Sequence, residues 1–159
     1  MKGLEMSIVP YQEKYHQAFI DLNMHWLEKY FEAELYDKKQ LTQCQKMIID
    51  PGGCIFIGIV ENKPIGTYAL VKIDQQTTEF SKMAIDVNYQ GNGFGKQLME
   101  HSIGTAKKMN FQKLVLYTHC RLERAIHIYK KFGFQTINVE SNCPYERCNK
   151  KMELDLALK

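Results

Sequence analysis

The segment Gln90-Gly91-Asn92-Gly93-Phe94-Gly95-Lys96 decides the fold of this chain. It follows an apolar, strand-like run and precedes a stretch in which apolar residues recur at helical spacing. Glycines at such a point let backbone N–H groups converge without clashes from Cβ atoms. The following helix adds unpaired N–H donors and the positive end of its dipole. The segment therefore predicts a site for an anion, phosphate in particular, and the alternative is an ordinary glycine-rich turn that starts a helix.

Two common phosphate-binding motifs do not fit this segment. The dinucleotide fingerprint G-x-G-x-x-G needs a third glycine where Lys96 stands. A P-loop ends in G-K followed by Ser or Thr, whereas Gln97 follows Lys96, and Gln90 occupies the place of the first glycine. A third pattern, R/Q-x-x-G-x-G/A, matches at Gln90, Gly93 and Gly95.

A second motif stands downstream, in Ala125-Ile126-His127-Ile128-Tyr129-Lys130-Lys131-Phe132-Gly133-Phe134, which has the form A-x-x-x-Y-x-x-x-G-F. With these two motifs the chain resembles the GNAT family of acetyltransferases, whose acetyl-CoA loop reads R/Q-x-x-G-x-G/A. The segment Lys82-Met83-Ala84-Ile85-Asp86 is similar to the family's strand before that loop. The resemblance spans Glu5 to Leu158 and is most specific from Glu79 to Phe134.

Apolar periodicity predicts the order of strands and helices. Three successive strand-like runs with short connections predict an antiparallel meander, and the strand, helix, strand order after them predicts a parallel pair. With the resemblance, this predicts one domain over residues 1–159: a mixed, mostly antiparallel sheet of about seven strands with helices on both faces. The predicted strands are Met6–Val9, Cys54–Val60, Ile65–Ile73, Thr77–Ile85, Leu114–Thr118, Phe134–Val139 and a last one through Met152 and Leu158; the predicted helices follow residues 19–30, Lys38–Ile49, 98–109 and 122–129.

The composition is that of an ordinary globular domain, with 45% hydrophobic and 25% charged residues among 159. The formal net charge is +3, and the Lys and Arg residues are scattered among acids, which argues against a nucleic-acid-binding face. No apolar run approaches the ~20 residues of a membrane helix, and Met1–Met6 lacks the apolar core of a secretory signal. We therefore expect a cytoplasmic protein without nucleic-acid or membrane partners.

The cysteine and histidine pattern favours free thiols and no metal. There are five cysteines, an odd number, and we expect a reducing compartment. A zinc site built from His119, Cys120, Cys143 and Cys148 is the alternative, but nothing in the spacing requires it.

The resemblance implies direct transfer of an acetyl group from acetyl-CoA to an amine. It places the pyrophosphate of the cofactor on backbone amides of the loop, and the pantetheine beside the preceding strand, paired with it like an extra strand. A backbone N–H near Met83 or Ile85 would polarise the thioester carbonyl. The cofactor-binding residues implied in this way are Met83, Ala84, Ile85, Gln90, Gly91, Asn92, Gly93, Phe94, Gly95 and Lys96.

The resemblance also implies roles for individual side chains. Glu79 matches the position of a general base in some family members, and an ordinary strand carboxylate is the alternative. Tyr129 matches the general-acid tyrosine, and a core residue is the alternative. His119 stands where some relatives carry Asn, and we expect it to contact cofactor or substrate.

The helix Leu22–Phe31 resembles the L-N-x-E-W-I/L-x-K-Y-F helix of a subgroup of the family, with His25 in place of the acidic residue. We expect Asn23, Trp26 and Tyr30 to line the pocket of the acceptor, although packing in the core explains Trp26 equally well. The acceptor itself, a small molecule or a protein amine, cannot be read from the sequence, and a homodimer is expected from family habit alone.

Two other functions stay open at this stage. One is an acyl-CoA-binding sensor or scaffold with the same fold and no turnover. The other is a nucleic-acid-binding or partner-binding domain with an incidental glycine turn, which predicts no effect of CoA on stability.

Overall fold

The computed structural model describes residues 3–31, 34–140 and 149–157. Within them, seven strands and four α-helices follow one another in the predicted order. The elements are β1 (Ser7–Pro10), α1 (His16–Tyr30), α2 (Leu35–Thr42), β2 (Cys54–Val60), β3 (Lys63–Lys72), β4 (Thr77–Ile85), α3 (Phe94–Lys108), β5 (Lys113–Thr118), α4 (Glu123–Lys131), β6 (Gln135–Ile137) and β7 (Lys150–Asp155).

The strands form one sheet in the order β1-β2-β3-β4-β5-β7-β6. The β4–β5 pair is parallel, and the other neighbouring pairs are antiparallel. This confirms the predicted mixed, mostly antiparallel sheet. The parallel pair lies at the crossover through α3, as a strand, helix, strand order requires.

Helices cover both faces of the sheet, as predicted. On β2, Ile55 and Ile57 belong to the buried cluster that includes Phe19 of α1 and Leu41 of α2. The alternate residue Phe56 packs against the other cluster, which includes Leu98 of α3. This two-residue alternation is what places the two helix layers on opposite sides.

The prediction of one helix over Lys38–Ile49 is wrong. The structure has α2 at Leu35–Thr42, which begins with a capping box between Glu34 and Asp37, and a separate π-helical turn at Gln45–Ile49. The capping box satisfies the free N–H groups at the start of α2, and this start is three residues earlier than the prediction.

Strand ends differ by a few residues from the predictions. Cys54–Val60 and Thr77–Ile85 are confirmed in full. The predicted Phe134–Val139 is shortened to Gln135–Ile137, and Phe134 is a buried core residue just before it. β7 ends at Asp155, because Leu156 and Ala157, predicted as part of this strand, form a turn, and Leu158 lies outside the described residues.

Candidate active site

A cavity of about 170 Å³ lies where β4 and β5 separate. The β4–β5 ladder joins Thr77–Glu79 to Lys113–Val115 and extends no further within the described residues. Beyond Glu79, β4 pairs with β3 on its other side, so the edge that faces β5 is released. Helices α1, α2 and α4 close the cavity, whose walls include Asn23, Trp26, Asp37, Glu79, Lys82, Met83, His119 and Tyr129.

The carboxyl group of Glu79 lies at the point where the two strands part. Glu79 is the last residue of β4 that pairs with β5, opposite Val115, and it is 7% exposed. Burial raises the pKa of the Glu79 carboxyl to about 7, against the opposing effects of the Lys82 charge and a hydrogen bond from Ser81. With a pKa this close to neutral, the carboxyl group can take up and release a proton near pH 7, which suits a general base.

The phenol of Tyr129 lines the same cavity from α4. Its side chain is half-buried, and burial raises the pKa of the hydroxyl to about 12. The hydroxyl is therefore protonated at neutral pH and able to donate its proton. Ala125, one turn earlier, lines the cavity beside it, so the A-x-x-x-Y spacing turns both residues to one side of the helix.

The glycine loop keeps an open backbone at the start of α3. Gly91 and Gly93 have φ angles of 83° and 79°, in the left-handed region where glycine is favoured. A Cβ at either position would meet no atom within 4 Å, so the backbone conformation, and not crowding, demands glycine there. Gly93 is the N-cap of α3, and the first N–H groups of a helix have no partner within it.

The side chains of the loop hold its shape. Gln90 donates from Nε2 to the carbonyl oxygen of Ile85 (3.3 Å), and Asn92 donates from Nδ2 to that of Tyr89 (2.9 Å). Phe94 is 2% exposed and packs with Val60 and Ile65. Its side chain therefore anchors the loop in the core and leaves only its backbone N–H for a ligand. Lys96 is exposed in the first turn of α3.

The three strand residues implied for cofactor binding lie in three different environments. Met83 lines the cavity and contacts the cluster beneath α3. Ala84 is 1% exposed and pairs with Thr67 of β3, so contact from its side chain is closed off. Ile85 lines a second groove, described below.

The sequence model for the acetyltransferase (GNAT) family matches residues 18–134, which is most of the chain. The chain belongs to the GNAT family. A Bacillus subtilis protein named as an uncharacterized N-acetyltransferase, YvbK, is 32% identical over 104 residues, which are 63% of this chain and 66% of that protein. The chain thus matches just under two thirds of the length of this relative.

Solved structures from the GNAT family and related acetyltransferases show the same fold. A GNAT-family acetyltransferase from Staphylococcus aureus superposes with a TM-score of 0.85 at 22% identity, over 96% of this chain and 99% of that one. The yncA protein of Salmonella typhimurium, solved with its cofactor acetyl-CoA, superposes with a TM-score of 0.74 at 16% identity, over 98% and 96%.

Of the three residues predicted to line the acceptor pocket, the cavity of this GNAT fold brings together two. Asn23 is 4% exposed, lines the cavity and donates from Nδ2 to the carbonyl oxygen of Phe19 (3.0 Å). Trp26 lines the cavity as well, with its ring 5.4 Å from that of Tyr30. Tyr30 itself does not line the cavity. It lies on a second groove, between α1 and the Asp86–Gln90 segment, which Trp26 also borders.

His119 lines the cavity at the end of β5, held by its neighbours. Its Nδ1 accepts from the backbone N–H of Arg121 (3.1 Å), and its Nε2 lies 3.1 Å from Nδ2 of Asn149. The Phe31 ring lies 6.0 Å away. These contacts fix the ring at the mouth of the GNAT cavity.

Lys82 and Asp37 are cavity residues to which the sequence analysis gave no role. Nζ of Lys82 lies 3.3 Å from Oδ1 of Asp37, and their side chains are 4% and 0% exposed. A lysine directly before the apolar run Met83-Ala84-Ile85 was the available signal for Lys82. Asp37 gave none, because its helix was predicted to start later.

Metal and membrane features were searched within residues 3–31, 34–140 and 149–157. No group of three His, Cys, Asp or Glu side chains there has the arrangement to hold a metal ion. None of the helices in the same ranges is both long enough and apolar enough to cross a bilayer. Cys44, Cys54 and Cys120 are free thiols, while Cys143 and Cys148 lie outside the described residues.

Proposed function

We propose that this protein is an acetyl-CoA-dependent N-acetyltransferase that transfers an acetyl group directly to a primary amine. The observation that carries the proposal is the cavity at the β4–β5 separation, which places the carboxyl of Glu79 and the phenol of Tyr129 on the walls of one space. One group suits proton acceptance at neutral pH, and the other suits proton donation. This is the pair of proton transfers that acetylation of an amine needs.

The glycine loop and β4 supply what acetyl-CoA requires. The open backbone at Gly91 and Gly93 and the first turn of α3 offer N–H groups for the pyrophosphate. The released edge of β4, from Ser81 to Ile85, offers backbone groups for the pantetheine. The Salmonella typhimurium neighbour, with the same fold, was solved with acetyl-CoA.

The chain's own residues account for the movement of protons. An amine with a pKa near ~10.4 is mostly protonated at neutral pH and cannot attack. Glu79, directly or through a water, accepts a proton from the ammonium group. A backbone N–H near Met83 or Ile85 polarises the thioester carbonyl. The neutral amine then forms the N–C bond to the carbonyl carbon as the C–S bond breaks, and Tyr129 donates its proton to the leaving thiolate. The acylated nitrogen loses its extra proton, directly or through a water, to the Tyr129 phenolate, which restores the phenol and leaves a neutral amide.

Removal of each proton carrier tests this proposal. Purified protein is assayed for thiol release from acetyl-CoA with a panel of primary amines, and thermal unfolding is followed with and without acetyl-CoA. We expect Glu79→Gln and Tyr129→Phe each to lower kcat/KM by about 10²-fold or more. Both variants should keep the rise in melting temperature that acetyl-CoA gives to the unmodified chain, because neither removes the loop.

The outcomes separate catalysis from binding alone. Thermal stabilisation by acetyl-CoA with no thiol release for any amine would favour the alternative, a catalytically silent acyl-CoA sensor. Full activity of Glu79→Gln and Tyr129→Phe would contradict the assigned roles. No stabilisation at millimolar acetyl-CoA would contradict the cofactor site itself.

A further inference from the structure

Lys82 has an uncommon conformation and an uncommon environment for a lysine. Its φ is 55°, in the left-handed region that residues with a side chain rarely adopt. Its side chain is 4% exposed and reaches the fully buried carboxylate of Asp37. Both residues line the cavity, so the backbone strain and the buried ion pair both occur at the site.

A β-bulge explains why Lys82 reaches α2. Two residues of β4, Lys82 and Met83, stand opposite Tyr68 in the ladder with β3. Unbroken alternation would place Lys82 on the face of Phe80, which belongs to the cluster beneath α3 and α4. The extra residue shifts the alternation, so that Lys82 turns to the face of Glu79 while Met83 stays on the α3 side.

Stability alone does not explain this pair. Apolar residues of similar volume would hold α2 against the sheet at least as well, because the desolvation penalty of two buried charges offsets most of the free energy of their attraction. The left-handed backbone at Lys82 adds a further cost. An arrangement that costs stability at the wall of an active-site cavity indicates a function there.

The charges around Glu79 show what that function is. Lys151 and Glu140 form an ion pair of 3.0 Å and act on Glu79 in opposite directions. Among the charged neighbours, Lys82 has the largest effect, and it lowers the pKa of Glu79. Among the described residues, several titratable groups line the cavity with Glu79 or interact with it electrostatically: Tyr36 and Asp37 of α2, Lys82 of β4, Tyr117 and His119 at the end of β5, Tyr129 of α4, Glu140 after β6 and Lys151 of β7.

We propose that Lys82, turned by the bulge and held by Asp37, is a positioning residue whose charge favours the ionised form of the buried Glu79, the form that accepts a proton from the acceptor amine. This inference rests on the proposed function of Glu79. It assigns to the Asp37–Lys82 pair the task of fixing one positive charge beside the base, on the acceptor side of β4.

The test is the protonation of Glu79 in Lys82→Met. Without the nearby positive charge, the pKa of Glu79 rises, so the carboxyl stays protonated up to higher pH. We expect the acid limb of the kcat/KM profile to move up by about one pH unit, with a loss of about tenfold at pH 6 and less than about threefold at pH 9. A merely structural role would lower kcat/KM at every pH alike.

The double variant Lys82→Met/Asp37→Asn is the matched control. Lys82→Met alone leaves the Asp37 carboxylate buried without this partner, and the double variant removes that charge too. We expect the double variant to recover stability and to keep the displaced acid limb. If the single variant does not fold, the double variant carries the test.

A second readout does not depend on activity. The carboxyl carbon of Glu79, observed by NMR in protein labelled with carbon-13 glutamate and assigned by its loss in Glu79→Gln, should titrate about one pH unit higher in both variants. Unchanged titration would overturn the role of Lys82 even if Glu79→Gln is inactive. A raised titration midpoint with a fully active Glu79→Gln would instead contradict the base and leave the electrostatic effect standing.

Discussion

The two halves of β4 differ in a way that locates the function. Thr77–Glu79 pairs with β3 and β5, and Thr78 is fully buried there. Ser81–Ile85 pairs with β3 and is released from β5, contains the bulge at Lys82 and borders the cavity. The first half therefore builds the sheet. In the second half, backbone N–H and C=O groups on the edge towards β5 are available to bind a ligand, since a bulge and an unpaired edge both leave polar groups without a strand partner.

Among substitutions that test the difference between the two halves of β4, Asp37→Ala should have the largest effect on stability. This change leaves the ammonium group of Lys82 buried without the Asp37 carboxylate and also removes the acceptor of the Glu34 N–H in the capping box of α2. We expect the two losses together to lower the free energy of unfolding by about 3–5 kcal/mol. The control in the first half is Thr78→Val, which removes the hydrogen bond from Thr78 Oγ1 to the carbonyl oxygen of Val71 (3.2 Å). It should cost about 1 kcal/mol and leave kcat/KM unchanged.

Chemical denaturation of the two variants measures the difference. If Asp37→Ala is as stable as Thr78→Val, α2 does not hold the second half of β4 through this ion pair.

A smaller effect is expected on the pH dependence of stability at Glu79, where the two halves meet. Its folded-state pKa of about 7 lies above the ordinary value of 4.5 for a glutamate carboxyl. The folded state holds the proton of Glu79 more tightly than the unfolded chain does. The stability of the fold therefore falls as pH rises from about 4.5 through 7, because the buried carboxyl must then ionise. Glu79→Gln removes that loss, so at pH 8 it should be more stable than the unmodified chain by about 1–3 kcal/mol.

Melting temperatures of both proteins between pH 5 and pH 8.5 check this expectation. Glu79→Gln, which loses activity, should be more stable than the unmodified chain at high pH, which is a stability–activity trade-off. Parallel curves for the two proteins would show that Glu79 has an ordinary pKa.

The smallest effects concern the glycine loop that follows β4. Gly93→Ala places a side chain at a φ of 79° and should cost about 1 kcal/mol of stability. Gly95→Ala is its counterpart, because its Cβ would lie 3.7 Å from Cε of Met83, an ordinary contact, and alanine favours the helix by about 0.5 kcal/mol.

Although their effects on stability are opposite, both loop variants should raise the KM for acetyl-CoA, since each adds a methyl group where the cofactor approaches the backbone. Steady-state kinetics with varied acetyl-CoA measures this. An unchanged KM in both would place the pyrophosphate elsewhere.

The sequence predicted the parts of the fold that depend on local signals. The run Cys54–Val60 is apolar and ends at a turn, so both of its ends were predicted correctly. The Ala125–Phe134 motif predicted a helix that turns Tyr129 inward, and the structure places that side chain on the cavity. Glycine pattern and helix periodicity are readable because each is set within a few neighbouring residues.

The features that sequence missed are set by distant parts of the chain. The bulge at Lys82 is defined by the register with Tyr68, and its partner Asp37 lies 45 residues away. Phe94 belongs to the loop whose backbone amides were expected to hold the pyrophosphate, and the sequence did not show that its side chain packs beside Val60 and Ile65. Tyr30 was expected to line the acceptor pocket with Asn23 and Trp26, and it lies on the second groove, which Trp26 also borders. Periodicity gives the face of a helix and not the element that covers it.

The pH dependence of kcat/KM for thiol release from acetyl-CoA, measured with the best amine of the panel, tests the central claim most directly. We expect an acid limb with an apparent pKa near 7 in the unmodified chain, and no such limb in Glu79→Gln, whose remaining activity is about 10²-fold lower. A limb that persists unchanged in Glu79→Gln, with activity close to that of the unmodified chain, would show that another group accepts the proton and would contradict the account.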